Sequence, residues 1–501
     1  MLTALVFLPA VVAAVLVCLP ARTPRWVVTA VWAGTAAAVL VLTCIMWGHY
    51  ADDGGLQYET QARWIPSVGI SYHVGVDGLS LPLIAVTAVL FLACAVFAAR
   101  RNHRLRDFAA LFLFLETTCL GLFAALDLIV FFVFFDLSIV AMYFVIGGWG
   151  HADAARAALK FFLYTFIGSL ALLLGFIGLY LAAEPHTFDM VELTRQDPLA
   201  GRTAYGALVL LAVAVGLAVK TPTVPFHTWL PPAHTEAPAE GSAILAGVLL
   251  KMGTYGFLRI ALPMLPQAWR SYGLVFVVVG VVSVLYGALV ALAQTNFKRM
   301  VAYTSVNHMG YILLAIGAAA VTTADTRAAR QLAVTGATYQ MVSHALLTGA
   351  LFLLAGVLHE RGHTYTMTAY SGIASRAPLF AALTGLSVFG SLGLPGFSGF
   401  IAELQILAGS LDPRPLAAGL AVLGILLTAA LLVRALQGMF LGPLRLPGGP
   451  GAAPAFPDLH RHEAAAIVPL LVLAVVLGLA PRFVLDVVEP ASHGVLELLA
   501  R

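Results

Sequence analysis

The residues best able to do chemistry in this sequence are ionisable side chains set inside long apolar runs. Asp136 interrupts FFVFFDLSIVAMYF, Lys220 closes LLAVAVGLAVK, and Lys251 lies within ILAGVLLKMGTYGFL. Glu403 follows a proline in GLPGFSGFIAELQILAG. A charged group at the centre of a lipid bilayer costs at least about 2.5–3.5 kcal/mol, so each of these side chains needs a partner or water. The chemistry that such groups offer is the uptake and release of protons.

Five more titratable residues lie in or beside apolar runs, namely Glu116, His227, His234, His308 and His344. Taken singly, a buried acid or lysine can be a structural ion pair, and a histidine inside a helix is often a hydrogen-bonded packing residue. Taken together, titratable groups on many helices favour a proton relay, because a relay needs several groups and a structural pair needs two. Desolvation disfavours the charged form of lysine and of carboxylate alike, which lets both exchange protons near neutral pH.

The composition indicates that these runs are membrane helices. Of the 501 residues, 61% are hydrophobic and 10% charged, and the mean hydropathy is +0.94. A soluble domain carries roughly 25% charged residues, so the deficit excludes a water-soluble surface. The four cysteines lie in apolar runs without a CxxC motif, which argues against disulfides and structural zinc. No glycine-rich phosphate loop occurs, so nucleotide binding has no support.

Apolar runs of about 20 residues follow one another along the chain and predict an all-α polytopic membrane protein with about fourteen helices. We divide it into helices 1–3 (residues 1–107), helices 4–8 (108–261), helices 9–13 (272–440), and a last membrane helix with a C-terminal amphipathic surface helix (441–501). Loops on one predicted side carry more Lys and Arg. The positive-inside rule places that side in the cytoplasm and both termini outside. Arg259 and Arg434 are expected either to lie at helix ends or to extend their side chains to the membrane interface.

Two predicted helices are interrupted beside an ionisable residue. Pro222 and Pro225 directly follow Lys220 in helix 7, and GLPGFSGF precedes Glu403 in helix 12. Proline removes a helical hydrogen bond and leaves carbonyl groups that need water, other protein groups or an ion. Because the two helices are five apart, the second five-helix unit must be inverted relative to the first. Paired broken helices in inverted repeats are a pointer to an ion site, although two incidental kinks would look the same.

Five stretches together resemble the antiporter-like membrane subunits of respiratory complex I, the NADH-quinone oxidoreductase. They are VKTPTVPFHTWLPPAHTEAP, GVDGLSL, FFVFFDLSIVAMYFVIGGWG, NFKRMVAYTSVNHMGY and LPGFSGFIAE. The likeness extends over about residues 70–440. It implies fourteen helices with two inverted five-helix repeats and broken helices 7 and 12, and proton translocation driven by quinone reduction elsewhere in the complex.

The resemblance also implies roles for the buried groups. Lys220 would be the central proton carrier and Asp136 its acidic partner. Lys251 and His308 would be connecting groups, and Glu403 would release protons toward the outside.

The remaining histidines would have supporting roles by the same resemblance. His344 would line the second half of the path, and His227 and His234 would help to join Lys220 to Lys251. Glu116 is a further acid of the first repeat.

This chain departs from the family pattern at two positions. The family usually has glutamate where Asp136 stands, so the carboxylate is drawn back by one methylene and its pairing with Lys220 is expected to be longer or bridged by water. The family often has LPDAH where this chain has proline at position 232.

The resemblance implies a translocase subunit without redox chemistry of its own. A glutamate in the broken helix 12 is typical of the M-type chains, whose neighbours would resemble the L-type and N-type chains (NuoL and NuoN). Flavin, iron–sulfur clusters and quinone would be bound by partner subunits, with no cofactor or metal here. The expected location is the bacterial plasma membrane. The alternatives are an Mrp-type cation/proton antiporter subunit, a membrane subunit of an energy-converting hydrogenase, and a passive scaffold.

Overall fold

The computed structural model describes residues 1–20, 22–447 and 456–500. The prediction of an all-α polytopic fold is confirmed. The helices are α1 (Leu2–Cys18), α2 (Arg25–Gly48), α3 (Ser80–Phe97), α4 (Leu105–Ala124), α5 (Leu128–Trp149), α6 (Ala154–Ala182), α7 (Met190–Gln196), α8 (Thr203–Lys220), α9 (Leu230–Glu236), α10 (Ala239–Met264), α11 (Pro266–Leu292), α12 (Phe297–Ala318), α13 (Arg327–Gly362), α14 (Pro378–Ser391), α15 (Ser398–Leu411), α16 (Pro415–Phe440), α17 (Arg461–Leu479) and α18 (Arg482–Ala500).

Eleven helices in the described part of the chain are long and apolar enough to cross a membrane. Three shorter apolar helices, α1, α14 and α15, add to them. Helix α12 has 22 residues and is almost wholly buried, but polar residues such as Asn307 and His308 lower its hydropathy. The total of fourteen spans and the inverted repeat stay predictions.

A small β-hairpin between α2 and α3 forms the one β-sheet among the described residues. Strand β1 (Gln57–Ile65) pairs antiparallel with β2 (Ile70–Val76). His73 of β2 is buried between Asp189, 2.5 Å from its Nδ1, and Glu59, 2.7 Å from its Nε2. Burial alone would lower the pKa of His73, but these two carboxylates raise it above its usual value. The protonated ring therefore stabilises the hairpin at low pH, and this contribution is lost as the pH rises through the raised pKa.

Both predicted helix breaks are present. The first separates α8 from α9, and the freed backbone groups find partners within the protein. The indole nitrogen of Trp229 donates to the carbonyl of Val219 at 3.0 Å, and the amide of Val224 donates to the hydroxyl of Ser283 at 3.0 Å. These bonds satisfy main-chain groups that a lipid environment would leave unpaired, so the unwound segment is stable inside the bundle.

The second break separates α14 from α15 and depends on glycine. Gly393 and Gly396 have φ values of +76° and +100°, a left-handed region that other residues rarely adopt. A Cβ atom on Gly393 would overlap a carboxylate oxygen of Glu403. The glycine thus lets the acid lie against the opened backbone.

Helix α13 is the central element of the bundle. Its 36 residues make it about 54 Å long, and its most apolar 18-residue window is completely buried. It packs against α3, α10, α12, α14, α15, α17 and α18. A helix buried on every side can hold polar side chains away from lipid, provided that neighbouring helices supply their partners.

An ion pair at the predicted outer face joins the connection between β2 and α3 to α10. Asp77 accepts hydrogen bonds from the amides of Leu79 and Ser80 at the start of α3, and its carboxylate lies 2.5 Å from the guanidinium of Arg259. Arg259 thus lies near the end of α10, as one of the two expectations had it, with its side chain turned toward Asp77 and only 14% of it exposed. Nε of Arg259 also donates to the hydroxyl of Tyr255 at 2.9 Å.

Gly78, next to this pair, allows α18 to approach closely, and we predict that Gly78→Ala weakens the docking of α18. A Cβ atom there would overlap the carbonyl oxygen of Val487 and lie 3.0 Å from the side chain of Ala491. We expect a loss of about 1–3 kcal/mol, as for overpacked cores, seen as a lower melting temperature of the purified protein. Gly385→Ala is the matched control, since its Cβ would meet nothing within 4 Å. Equal melting temperatures for the two variants would contradict the close approach.

Candidate proton relay

Lys220 is the last residue of α8, at the point where the helix opens. Its side chain is buried, and its ammonium donates a hydrogen bond to the hydroxyl of Ser138 on α5 at 3.0 Å. The same ammonium lies 4.6 Å from the centre of the Phe135 ring, which is a cation–π distance. Ser138 was not predicted, although a serine two residues after a buried acid in an apolar run was a signal available in the sequence.

Asp136, the predicted partner of Lys220, makes no ion pair with it within 4 Å in the described part of the chain. The side chain is half-buried on α5, and its Oδ1 atom is buried without a hydrogen-bond partner among the described residues. The aspartate is one methylene shorter than the glutamate of the family pattern, and Ser138 takes the hydrogen bond of the lysine instead. The arrangement fits the longer contact expected from the sequence.

Glu116 lies on α4 at the edge of this group. It is fully buried, and neither carboxylate oxygen has a hydrogen-bond partner among the described residues. Cys119, one turn further along α4, interacts electrostatically with both Glu116 and Lys220. An isolated buried carboxylate is costly, so Glu116 needs a proton, a water molecule or a moving partner.

Lys251 and His344 form the closest contact between predicted relay residues. The ammonium of Lys251 lies 2.5 Å from Nδ1 of His344 on α13 and donates to the carbonyl of Ala246 at 2.6 Å. Two π-helical turns, Leu245–Leu249 and Phe257–Ala261, flank the lysine within α10. The wider turn before Lys251 exposes the carbonyl of Ala246, and such turns are frequent at functional sites.

The contacts continue from His344 to Glu403. The rings of His344 and His308 have their centres 5.2 Å apart in an edge-on arrangement. Nε2 of His308 lies 3.8 Å from Oε1 of Glu403. All four side chains of this series are buried. Lys251, His344, His308 and Glu403 therefore form one line of neighbouring titratable groups, drawn from α10, α13, α12 and α15.

His234 and His227 lie in different surroundings. His234 is fully buried and stacks on Phe352 of α13, with ring centres 4.4 Å apart, and neither ring nitrogen has a partner in the described structure. The charge on Lys251 interacts electrostatically with the His234 ring. His227 turns toward Tyr286 of α11, with ring centres 5.0 Å apart. Of the two histidines, His234 is the one that lies near Lys251.

The two halves of the relay meet around Ser138 and α10. The hydroxyl of Ser138 also lies 3.5 Å from the sulfur of Met252, the residue after Lys251. Gly253 lies against Thr221, because a Cβ atom there would overlap the threonine hydroxyl. The end of α8 and the centre of α10 are thus in direct contact, which places Lys220 and Lys251 on adjoining elements.

Lys298 is a further buried lysine, which the sequence did not single out. It lies in the first turn of α12, fully buried, and donates to the carbonyl of Ala237 at 2.5 Å. Its ammonium is 5.2 Å from the ring centre of Tyr365. In the sequence, Lys298 and Arg299 form an adjacent basic pair, which gives no sign that one of the two is buried. In the structure only Arg299 is exposed.

The described residues contain no group of three or more His, Cys, Asp or Glu side chains that could hold a metal ion. What the arrangement offers is a set of acids, amines and imidazoles at the centre of an apolar bundle. Such a set can pass protons between neighbours, with water filling the longer gaps.

Comparisons with known proteins agree with this architecture. Residues 125–428 match the family model described as NADH:quinone oxidoreductase/Mrp antiporter, TM. An NADH-quinone oxidoreductase subunit M from Rickettsia conorii is 38% identical over 86% of this chain and 84% of its own length. The subunit M of Rhodobacter capsulatus is 36% identical over 98% and 95%.

Two solved structures have the same fold. A chain of respiratory complex I from Thermus thermophilus with bound NADH matches with a TM-score of 0.87 and 30% identity, each chain covered completely. A chain of the Mrp complex from Dietzia sp. matches with a TM-score of 0.86 at 23% identity, covering 100% of this chain and 99% of its own, which shows the fold alone. With the family match over more than half of its length and relatives above 30% identity, this chain belongs to the NADH:quinone oxidoreductase/Mrp antiporter family of membrane subunits.

Proposed function

We propose that this chain is a proton-translocating subunit in the membrane arm of a bacterial NADH-quinone oxidoreductase. The relatives named subunit M support this assignment over most of the chain. Quinone reduction in partner subunits, which would hold flavin and iron–sulfur clusters, would supply the energy. Neighbours resembling NuoL and NuoN would flank the chain in the plasma membrane, with both of its termini outside. The chain is thus part of an enzyme without carrying out redox chemistry itself.

The observation that carries the proposal is the line of contacts from Lys251 to Glu403. Four titratable side chains from four helices follow one another, with a 2.5 Å contact at one end and a 3.8 Å contact at the other. A structural ion pair would need only two of them. An apolar bundle retains such groups at a cost in stability, so their continuity favours transport over scaffolding.

In the proposed cycle, Lys220 holds a proton at the opened end of α8. Asp136 and Ser138 stabilise its charged form, one by electrostatic attraction and the other by accepting a hydrogen bond. When the attraction weakens, the desolvated lysine gives up its proton toward Lys251, because burial disfavours an unpaired charge. The proton then passes by His344 and His308 to Glu403, where the second helix break provides the way out.

A cation/proton antiporter subunit of the Mrp type is the second candidate. The family model covers both kinds of protein, and the Mrp chain from Dietzia sp. has the same fold. The two candidates differ in their partners. A tag on this chain should recover flavin- and iron–sulfur-containing subunits with NADH-driven quinone reduction, whereas recovery of small membrane chains alone would favour the antiporter.

We predict that the charge, and not the length, of Asp136 is required. Asp136→Glu should retain most of the proton pumping, because the carboxylate is kept and reaches closer to Lys220. Asp136→Asn and Lys220→Met should each lower it at least about tenfold, which is about 1.4 kcal/mol in activation free energy. The measurement is NADH-driven acidification of inverted membrane vesicles, together with quinone reductase activity.

The control for this series is Arg195→Met, which removes a basic side chain that is 77% exposed. It should pump normally. Equal, mild effects of Asp136→Asn and Asp136→Glu on proton pumping would show that Asp136 has only a structural role. Normal pumping by Lys220→Met would remove Lys220 from the relay.

A further inference from the structure

A cavity of about 520 Å³ lies at the end of the bundle that carries most of the basic loop residues. Its walls come from the end of α11, the start of α12, the last turns of α16 and the segment 367–371. Two arginines, Arg434 and Arg445, line it. By the positive-inside rule this end faces the cytoplasm. The volume is in the range of small-molecule binding sites.

Within the described part of the chain, neither arginine pairs with an acid. No carboxylate lies within 4 Å of either guanidinium among the described residues, whereas Arg101, Arg259 and Arg361 all have one. Both side chains are exposed. An arginine presents its N–H donors in a rigid planar arrangement that fits a phosphate group. Two such guanidinium groups around one cavity therefore match an anionic ligand.

The chain fixes the position of Arg445. Its backbone amide and carbonyl exchange hydrogen bonds of 2.8 and 2.9 Å with Ser371. Gly372, with φ +64°, lies so close to the backbone of Gly442 and Leu444 that a Cβ atom would come within 2.6 Å of a carbonyl oxygen. A guanidinium on an anchored backbone is partly preorganised for binding, which reduces the ordering cost.

The rest of the wall is divided between polar and apolar groups. Thr295 and Thr368 bring hydroxyl groups, while Leu292 and Met367 bring partly exposed apolar side chains. A free phosphate ion would leave the aliphatic part without a partner. A ligand with an anionic head and an apolar tail would satisfy both parts.

We propose that this cavity binds the headgroup and the first acyl carbons of an anionic phospholipid from the cytoplasmic leaflet. Basic pockets between membrane helices on the cytoplasmic side bind such headgroups in other proteins. The phosphate contacts both guanidinium groups, and the acyl chain runs along α16. The site lies apart from the relay and does not depend on the proposed proton transfer.

The test uses the intact complex that contains this chain, reconstituted in nanodiscs of phosphatidylglycerol or of phosphatidylcholine. Native mass spectrometry then counts the phospholipids that stay on the released chain. The wild-type chain should retain one phosphatidylglycerol, and the double variant Arg434→Gln/Arg445→Gln should lose it. Because both arginines are exposed and without acid partners, the variant should fold. The control, Arg376→Gln, removes an exposed arginine of the neighbouring loop and should retain the lipid.

Three results would overturn the proposal. The first is an equal lipid count in the double variant and the wild type. The second is equal retention of phosphatidylcholine, which would show that the arginines do not select an anionic headgroup. The third is a photo-crosslinker at the exposed position 438 that captures a neighbouring protein chain and no lipid, since the cavity would then be a subunit interface.

Discussion

A lysine ammonium group in the middle of an apolar bundle must find its hydrogen-bond partners among protein atoms, and Lys251 finds two. One is the carbonyl of Ala246, which a π-helical turn has exposed. The other is Nδ1 of His344 on the central helix α13. This second contact joins the N-terminal part of the bundle, with Lys220, to the C-terminal part, with Glu403. His308 and Glu403 extend this line of neighbouring groups in the proposed relay.

Irregular backbone occurs beside each of the three ionisable residues Lys251, Lys220 and Glu403. Helix α10 departs from regular geometry on both sides of Lys251, helix α8 stops at Lys220, and a glycine break opens the backbone beside Glu403. Each irregularity costs helical hydrogen bonds, and those freed beside Lys220 are replaced by Trp229 and Ser283. In a membrane such departures need protein or water partners, and the ionisable residue beside each of them, Lys251, Lys220 or Glu403, is buried.

The sequence was sufficient to predict the helical class, both breaks and the burial of most of the titratable groups that it singled out, although not the burial of Lys298. Hydropathy over about 20 residues and the positions of proline are local properties, and Asp136, Lys220 and Glu403 stand out against apolar neighbours. What it could not supply were contacts between distant segments. Lys251 and His344 are 93 residues apart, so their 2.5 Å contact depends on how α10 and α13 cross.

The same limit explains the residues that were missed. Ser138 became important only when the structure placed its hydroxyl within reach of Lys220. The partner of Arg259 was not predicted, because Asp77 lies far from it along the chain. The hairpin itself escaped notice because its strands lie in a polar stretch between two strongly apolar helices, where hydropathy gives little signal.

The central claim is that Lys251 and His344 act as one step of a single relay, and a double-mutant cycle tests it most directly. Proton pumping by the intact complex would be measured for Lys251→Met, for His344→Leu and for the two combined. Residues that act as a unit give non-additive effects. The relay predicts that the double variant pumps no worse than the more damaging single variant. Losses that multiply, as for two independent sites, would contradict it.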